Sequence, residues 1–175
     1  AVLAEREWLV TNGLGGYAAG TLAGVLTRRY HGYLIAALPA PLGRVVMLNH
    51  LFERLRFFAA DTPALEPEAT AFSGAVVEQE GSGTEVGAFL TEFRLENGLP
   101  VWRYQVRDFL LEKTLMMPYM QNSVFLTYRL LAGPRNVQLE IVPALQFRPH
   151  EAAVSDDIGP SYTFSVTAGQ FRILG

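Results

Sequence analysis

The sequence predicts an all-β fold, an antiparallel β-sandwich. Three observations carry that expectation. Several runs alternate apolar and polar residues with period two. Other runs are apolar on both phases but too short for buried helices. Turn residues separate nearly all of them, with 16 Gly and 10 Pro in 175 residues.

The alternating runs come first. Trp102, Tyr104 and Val106 alternate with Arg103, Gln105 and Arg107. Val137, Leu139 and Ile141 alternate with Gln138 and Glu140, and Tyr162, Phe164 and Val166 with Thr163 and Ser165. Successive side chains on a strand point to opposite faces, so each run reads as a half-buried strand. Tyr33–Leu38, Val45–Leu51 and Val124–Leu131 are apolar on both phases and read as strands covered on both sides. Phe171–Gly175 reads as a further strand. Turns are expected at Pro39–Gly43, Gly81–Gly83, Glu96–Gly98 and Ala132–Pro134. A helical turn fits Ala59–Ala69, although Pro63 and Pro67 keep it short. Glu151–Pro160 is expected to be a loop. Many strands joined by short connections imply a sandwich or barrel.

The length suits one domain spanning residues 1–175. Half the residues are apolar and 18% are charged, an ordinary globular balance, and the formal net charge is -3. That balance disfavours a nucleic-acid partner, which would favour a basic face. No Cys is present, so disulfides and thiolate metal sites are excluded, in keeping with a cytoplasmic location. No apolar run approaches the roughly 20 residues of a membrane helix, and no signal peptide is visible. Without an initiating Met and with a strand at its end, the sequence reads as a piece of a longer polypeptide.

Two stretches carry the functional signal. Thr11-Asn-Gly-Leu-Gly-Gly-Tyr17 places Asn12, Gly13, Gly15 and Gly16 together. A phosphate cradle needs the spaced dinucleotide fingerprint or the Walker Lys-Ser/Thr, and both are missing. A tight turn with a bulge fits, as does a loop lying against a polar ligand or a neighbouring domain. Thr27-Arg-Arg-Tyr-His-Gly32 places Arg28, Arg29, Tyr30 and His31 at the mouth of an apolar strand. If the strand runs through them, Arg28 and Tyr30 share one face, and Arg29 and His31 the other. Glu7, Glu53 and Glu112 are candidate partners for the arginines. The cluster fits a buried Arg–carboxylate network with a satisfied His. It equally fits a rim that binds a hydroxyl-rich or anionic ligand, since Arg, Tyr and His supply forked donors, a stacking face and mixed donor–acceptor nitrogens. A smaller cluster, Phe147-Arg-Pro-His150, contributes Arg148 and His150.

Catalysis within the chain is not expected. The acidic residues mostly fall in turns or on outward strand positions, and no carboxylate pair suggests itself for glycoside hydrolysis. Gly81-Ser-Gly83 lacks the flanks of a nucleophile elbow. The three His are scattered, without metal-ligand spacing, and no metal or other cofactor is expected.

Glu7-Trp-Leu-Val-Thr-Asn-Gly-Leu-Gly-Gly-Tyr-Ala18, Gly20-Thr21 and Thr27-Arg-Arg-Tyr-His-Gly32 together resemble the N-terminal domain of bacterial and archaeal glycogen debranching enzymes. Pro39–Leu48, Glu92-Phe93, Pro100-Val-Trp-Arg-Tyr104, Glu112-Lys113 and Arg148-Pro-His150 extend the resemblance over nearly the whole chain. Pro149 stands where relatives often carry an acidic residue. The resemblance implies a β-supersandwich like that of glucoamylase-type N-terminal domains. It implies a parent amylo-α-1,6-glucosidase, a glycoside hydrolase of glycogen catabolism acting on glycogen or limit dextrin. Its catalytic carboxylates would lie on a following (α/α)6 barrel, outside these residues, and that barrel and the α-glucan are the implied partners. Asn12, Gly13, Gly15, Gly16, Arg28, Arg29, Tyr30, His31, Arg148 and His150 are then expected at the barrel interface or the border of its substrate cleft. An independent carbohydrate-binding module is the alternative, with Trp8, Trp102, Tyr17 and Tyr30 as platform candidates, although burial suits the two Trp better. A third possibility is a signature that only stabilises the sandwich.

Overall fold

The computed structural model describes residues 2–58, 68–73, 87–134, 137–155 and 161–175. A four-residue helix, α1 (Val2–Glu5), precedes β1 (Glu7–Thr11), β2 (Tyr17–Thr21), β3 (Gly32–Ala37) and β4 (Arg44–Phe57). Next come β5 (Glu68–Ser73), β6 (Leu90–Glu96), β7 (Leu99–Val106), β8 (Phe109–Met116) and β9 (Phe125–Ala132). The last strands are β10 (Val137–Pro149), β11 (Thr163–Thr167) and β12 (Gln170–Leu174). Every strand pairing is antiparallel.

One sheet runs β1-β2-β3-β4-β10, with β5 paired to the far half of β4. A second sheet is the meander β6-β7-β8-β9, and β11 and β12 form a separate hairpin. The two larger sheets face each other across an apolar interior. Trp8, Tyr33, Leu51, Leu55 and Phe72 of the first pack with Trp102, Tyr104, Val106, Leu111 and Leu115 of the second. Trp8 meets Trp102 edge to face with ring centroids 5.2 Å apart, and Phe72 meets Tyr104 at 5.1 Å. The fold is the all-β antiparallel sandwich that the period-two runs predict.

The outer face of the meander carries a row of alternating charge. Glu92 pairs with Arg103, Arg103 with Glu112, and Glu112 with Arg129 in strand register. Ion pairs follow that register at 2.8, 3.1 and 2.6 Å, and Arg94 adds a third cation on Glu112 at 3.0 Å. Hydrogen bonds from Arg94 lead the causes that hold the Glu112 carboxyl below its ordinary range. Opposite charges across neighbouring strands support a sheet face that water would otherwise cover.

Three expectations need correction. Val124–Leu131 is not covered on both faces: Phe125, Leu130 and Leu131 are exposed, and β9 is the last strand of the meander among the described residues. Phe164 and Val166 are exposed as well, since their strand lies in the separate hairpin. The backbone does not extend through Arg28–His31: Arg28–Tyr30 is a turn closed by the His31 N–H donating to the Arg28 carbonyl at 3.1 Å. Among the acidic residues Glu53 does not point outward: it is buried to 1% exposure facing Lys113. The Gly81–Gly83 turn lies outside the described residues. So does the Ala59–Ala69 turn, apart from Glu68 and Ala69, which open β5 as strand. Of the Glu151–Pro160 loop, residues 151–155 are described, and they are turn and irregular backbone.

Candidate functional site

The first Gly-rich stretch is the β1–β2 hairpin connection, and Asn12 organises it. Asn12 is buried to 1% exposure. Its Oδ1 accepts from the N–H groups of Leu14 at 2.9 Å and Gly16 at 3.0 Å. Its Nδ2 donates to the Gln121 carbonyl at 2.8 Å and to Asn122 Oδ1 at 3.1 Å. All four hydrogen-bonding positions of the amide are used. Asn122 continues the chain of bonds, accepting from Ala37 N at 2.9 Å and donating to Ala37 O at 2.7 Å. Three segments far apart in sequence are tied at one point.

Glycine is required here for two separate reasons. Gly13 sits at φ +82°, and a Cβ would lie 2.6 Å from the Tyr119 ring. At Gly16 a Cβ would meet the Ile35 carbonyl at 2.9 Å and Asn12 Nδ2 at 2.7 Å, neither of which can retreat. Gly16→Ala is expected to cost about 1–3 kcal/mol, read as a lower urea midpoint. An unchanged midpoint would mean that the loop relaxes freely.

Arg28, Arg29 and Tyr30 form the turn before β3, and a buried arginine holds it. Arg148 is 6% exposed and spends its guanidinium on its neighbours. Nη2 donates to the Arg29 carbonyl at 2.5 Å, Nη1 to the Ala152 carbonyl at 3.0 Å, and Nε to Gln146 Oε1 at 3.0 Å. The β4–β10 register brings it there, since Pro149 lies opposite Val45. The same register lets the His150 N–H donate to the Arg44 carbonyl at 3.0 Å. Fixing this turn needs no carboxylate at position 149, where Pro stands.

His31 is fully buried. Its Nδ1 accepts from the Thr27 N–H at 3.2 Å, so the neutral ring carries its proton on Nε2. That nitrogen faces Glu7 Oε1 at 3.5 Å, and Arg28 Nε donates to the same oxygen at 3.1 Å. Burial lowers the His31 pKa, and Glu7 partly opposes it. Burial likewise pushes His50 down to about 4. Below the ordinary imidazole value the unfolded chain takes up protons that both folded histidines resist. Stability is therefore complete above about pH 6.5 and falls as the pH drops toward 4, with His50 alone contributing on the order of 3 kcal/mol. Urea midpoints measured from pH 7.5 to 4.5 check this, and a flat profile contradicts it.

Of the three acidic partners considered for the arginines, Glu7 takes Arg28, Glu53 takes Lys113, and Glu112 takes Arg94, Arg103 and Arg129. Arg29 is exposed and its side chain has no partner among the described residues.

A cleft of about 440 Å³ opens on the outer face of β1 and β2. Glu7, Leu9, Gly15, Gly16, Tyr17 and Tyr30 line it, with Arg44 at the loop side. Arg44 Nε donates to the Gly15 carbonyl at 2.7 Å, and the Tyr17 hydroxyl donates to the Tyr30 carbonyl at 3.2 Å. The structure thus joins both signature stretches at one cleft. Arg148 and His150 support its rim from behind, and Asn12, Gly13 and His31 act through the backbone or from burial. The sequence places Arg44 in the Pro39–Leu48 stretch of the resemblance, as the Arg between a Pro-rich turn and an apolar strand, without marking it as a site residue, and it does not single out Asn122. Arg44 carries a weak signal in following a Gly at a strand start, whereas nothing local marks Asn122. Among the described residues Glu7 is the single carboxylate in the cleft, and no three His, Asp or Glu side chains gather to hold a metal.

Fold and site define a β-sandwich with a cleft on an outer sheet face, apolar in its floor and rimmed by polar loop residues, with no pair of acids across it among the described residues. The chain belongs to the glycogen debranching enzyme N-terminal family, whose model matches residues 6–172. None of the curated proteins and none of the solved structures matches the chain.

Proposed function

We propose that this chain is the non-catalytic N-terminal domain of an amylo-α-1,6-glucosidase acting on glycogen or limit dextrin in the cytoplasm. In this reading it packs on an (α/α)6 catalytic barrel of the same polypeptide. The cleft face with Arg29 borders the α-glucan path, and the carboxylates that cleave the glycosidic bond belong to the barrel. Neither a cofactor nor a nucleic-acid or membrane partner has a role.

The observation that carries the reading is the convergence of both signature stretches on one face. There a turn is fixed by buried Arg148, while the exposed Arg29 side chain has no partner among the described residues. A backbone held this firmly under an exposed guanidinium suits recognition of a carboxylate or hydroxyl on a neighbouring surface. Family membership supplies the glycoside-hydrolase setting. A glycosidase needs two carboxyl groups roughly 5–10 Å apart, and Glu7 as the one carboxylate in the cleft among the described residues supports assigning cleavage elsewhere.

The test separates the polypeptide into this domain and its barrel and measures their association. Arg29→Glu is expected to weaken association at least about tenfold while leaving the domain's urea midpoint unmoved. Absence of any association, or indifference to Arg29→Glu, overturns the reading.

A further inference from the structure

Building on that reading, we propose that the β1–β2 cleft is itself a binding site for a neutral glucosyl unit of the glucan. The ligand would be held by apolar contact on Leu9, Ala19 and Tyr30, and by hydrogen bonds to Glu7 and Arg44.

The cleft's size, about 440 Å³, falls within the roughly 300–1,000 Å³ of small-ligand sites. Its floor is apolar: Leu9 is 60% exposed and lies opposite Ala19 across β1 and β2. A pyranose ring presents C–H groups on its faces and hydroxyls around its edge. Such a ring covers an apolar floor while its hydroxyls look sideways for partners. The two flanking ends of the cleft offer opposite chemistry. Glu7 has Oε1 engaged by Arg28, while Oε2 has no partner among the described residues and is free to accept. Arg44 commits Nε to Gly15, and its Nη groups, which have no hydrogen-bond partner among the described residues, can donate. A sugar hydroxyl both donates and accepts, so it satisfies either end.

Charge argues for a neutral ligand. An anion drawn to the Arg44 guanidinium would share the cleft with the Glu7 carboxylate, and like charges there are unfavourable. The rim is also set before any ligand arrives. The Tyr17 hydroxyl holds the Tyr30 carbonyl, the Tyr30 ring meets His31 edge to face at 5.3 Å, and Asn12 fixes the loop that carries Gly15 and Gly16. A preformed rim loses less conformational freedom on binding.

The 175-residue chain is titrated with maltotriose and, separately, with inorganic phosphate, following backbone amide shifts. Maltotriose is expected to move the amides of Leu9, Gly15, Gly16 and Ala19 with a Kd of roughly 1 mM, and phosphate to leave them in place. Tyr30→Ala is expected to weaken maltotriose about tenfold, whereas Tyr30→Phe, which keeps the ring, retains affinity. Arg44→Met gives an independent loss if Tyr30→Ala perturbs the turn. Phosphate shifts at these amides, no shift with either ligand, or maltotriose affinity unmoved by both Tyr30→Ala and Arg44→Met overturns the site. A failed titration alongside Arg29-dependent association with the barrel overturns this site alone and leaves the domain reading standing.

Discussion

Lys113→Met is expected to remove about 3–5 kcal/mol of stability, because it strands a buried carboxylate. Lys113 and Glu53 have side chains 1% and 0% exposed, with Lys113 Nζ 2.8 Å from Glu53 Oε1 and 2.9 Å from Oε2. Nζ also donates to the Tyr33 hydroxyl at 2.8 Å, and the Tyr128 hydroxyl donates to Glu53. Glu53 comes from β4 and Lys113 from β8, so the pair bridges the two sheets. The Tyr33 and Trp102 rings flank the ammonium at 4.7 and 5.4 Å. Removing the cation leaves the Glu53 carboxylate with Tyr128 and no countercharge. Lys113→Met combined with Glu53→Gln is expected to recover most of the loss, since the isolated charge is then gone. Urea unfolding of the singles and the double forms the cycle. Additive losses would show that the two side chains do not act as a pair.

Asn12→Ala is expected to cost about 2–4 kcal/mol and to abolish the ordered β1–β2 loop. Four partners lose a bond at once: the N–H groups of Leu14 and Gly16, the Gln121 carbonyl and Asn122 Oδ1. Asn12→Asp separates the two halves of the amide. It keeps both loop N–H bonds but turns an acceptor toward the Gln121 carbonyl and Asn122 Oδ1. A loss as large as that of Ala would therefore assign the energy to the donor side, which joins loop to loop. Retention of wild-type stability by Asn12→Asp would assign it to the turn alone. In Asn12→Ala, maltotriose-dependent shifts at Gly15 and Gly16 are expected to disappear with the loop geometry.

Much of this architecture is legible along the chain, because strand faces follow a local period. Trp102, Tyr104 and Val106 point inward as their alternation with Arg103 and Gln105 requires. The Glu96–Gly98 turn joins β6 to β7 where the Gly falls. The alternation misleads where sheet edges decide burial. Val124–Leu131 looks covered on both faces because its composition is apolar, yet Phe125, Leu130 and Leu131 are exposed on the strand that ends the meander among the described residues. Glu112-Lys113 shows the same limit in two residues. Adjacent positions must face opposite ways, but only the packed sheets reveal that Glu112 meets three arginines outside while Lys113 enters the core.

The site divides along the same line. The sequence by itself determined that two dense motifs, Thr11–Tyr17 and Thr27–Gly32, exist and belong to a debranching-enzyme N-terminal domain, because their glycines and arginines are contiguous. Tertiary structure alone decided their partners. Asn12 reaches Asn122 across 110 positions, and Arg148 reaches the Arg29 carbonyl across 119. Such bonds depend on strand register and sheet order, which bring distant segments within about 3 Å. No local period records which of several equivalent arginines or carboxylates will end up facing each other.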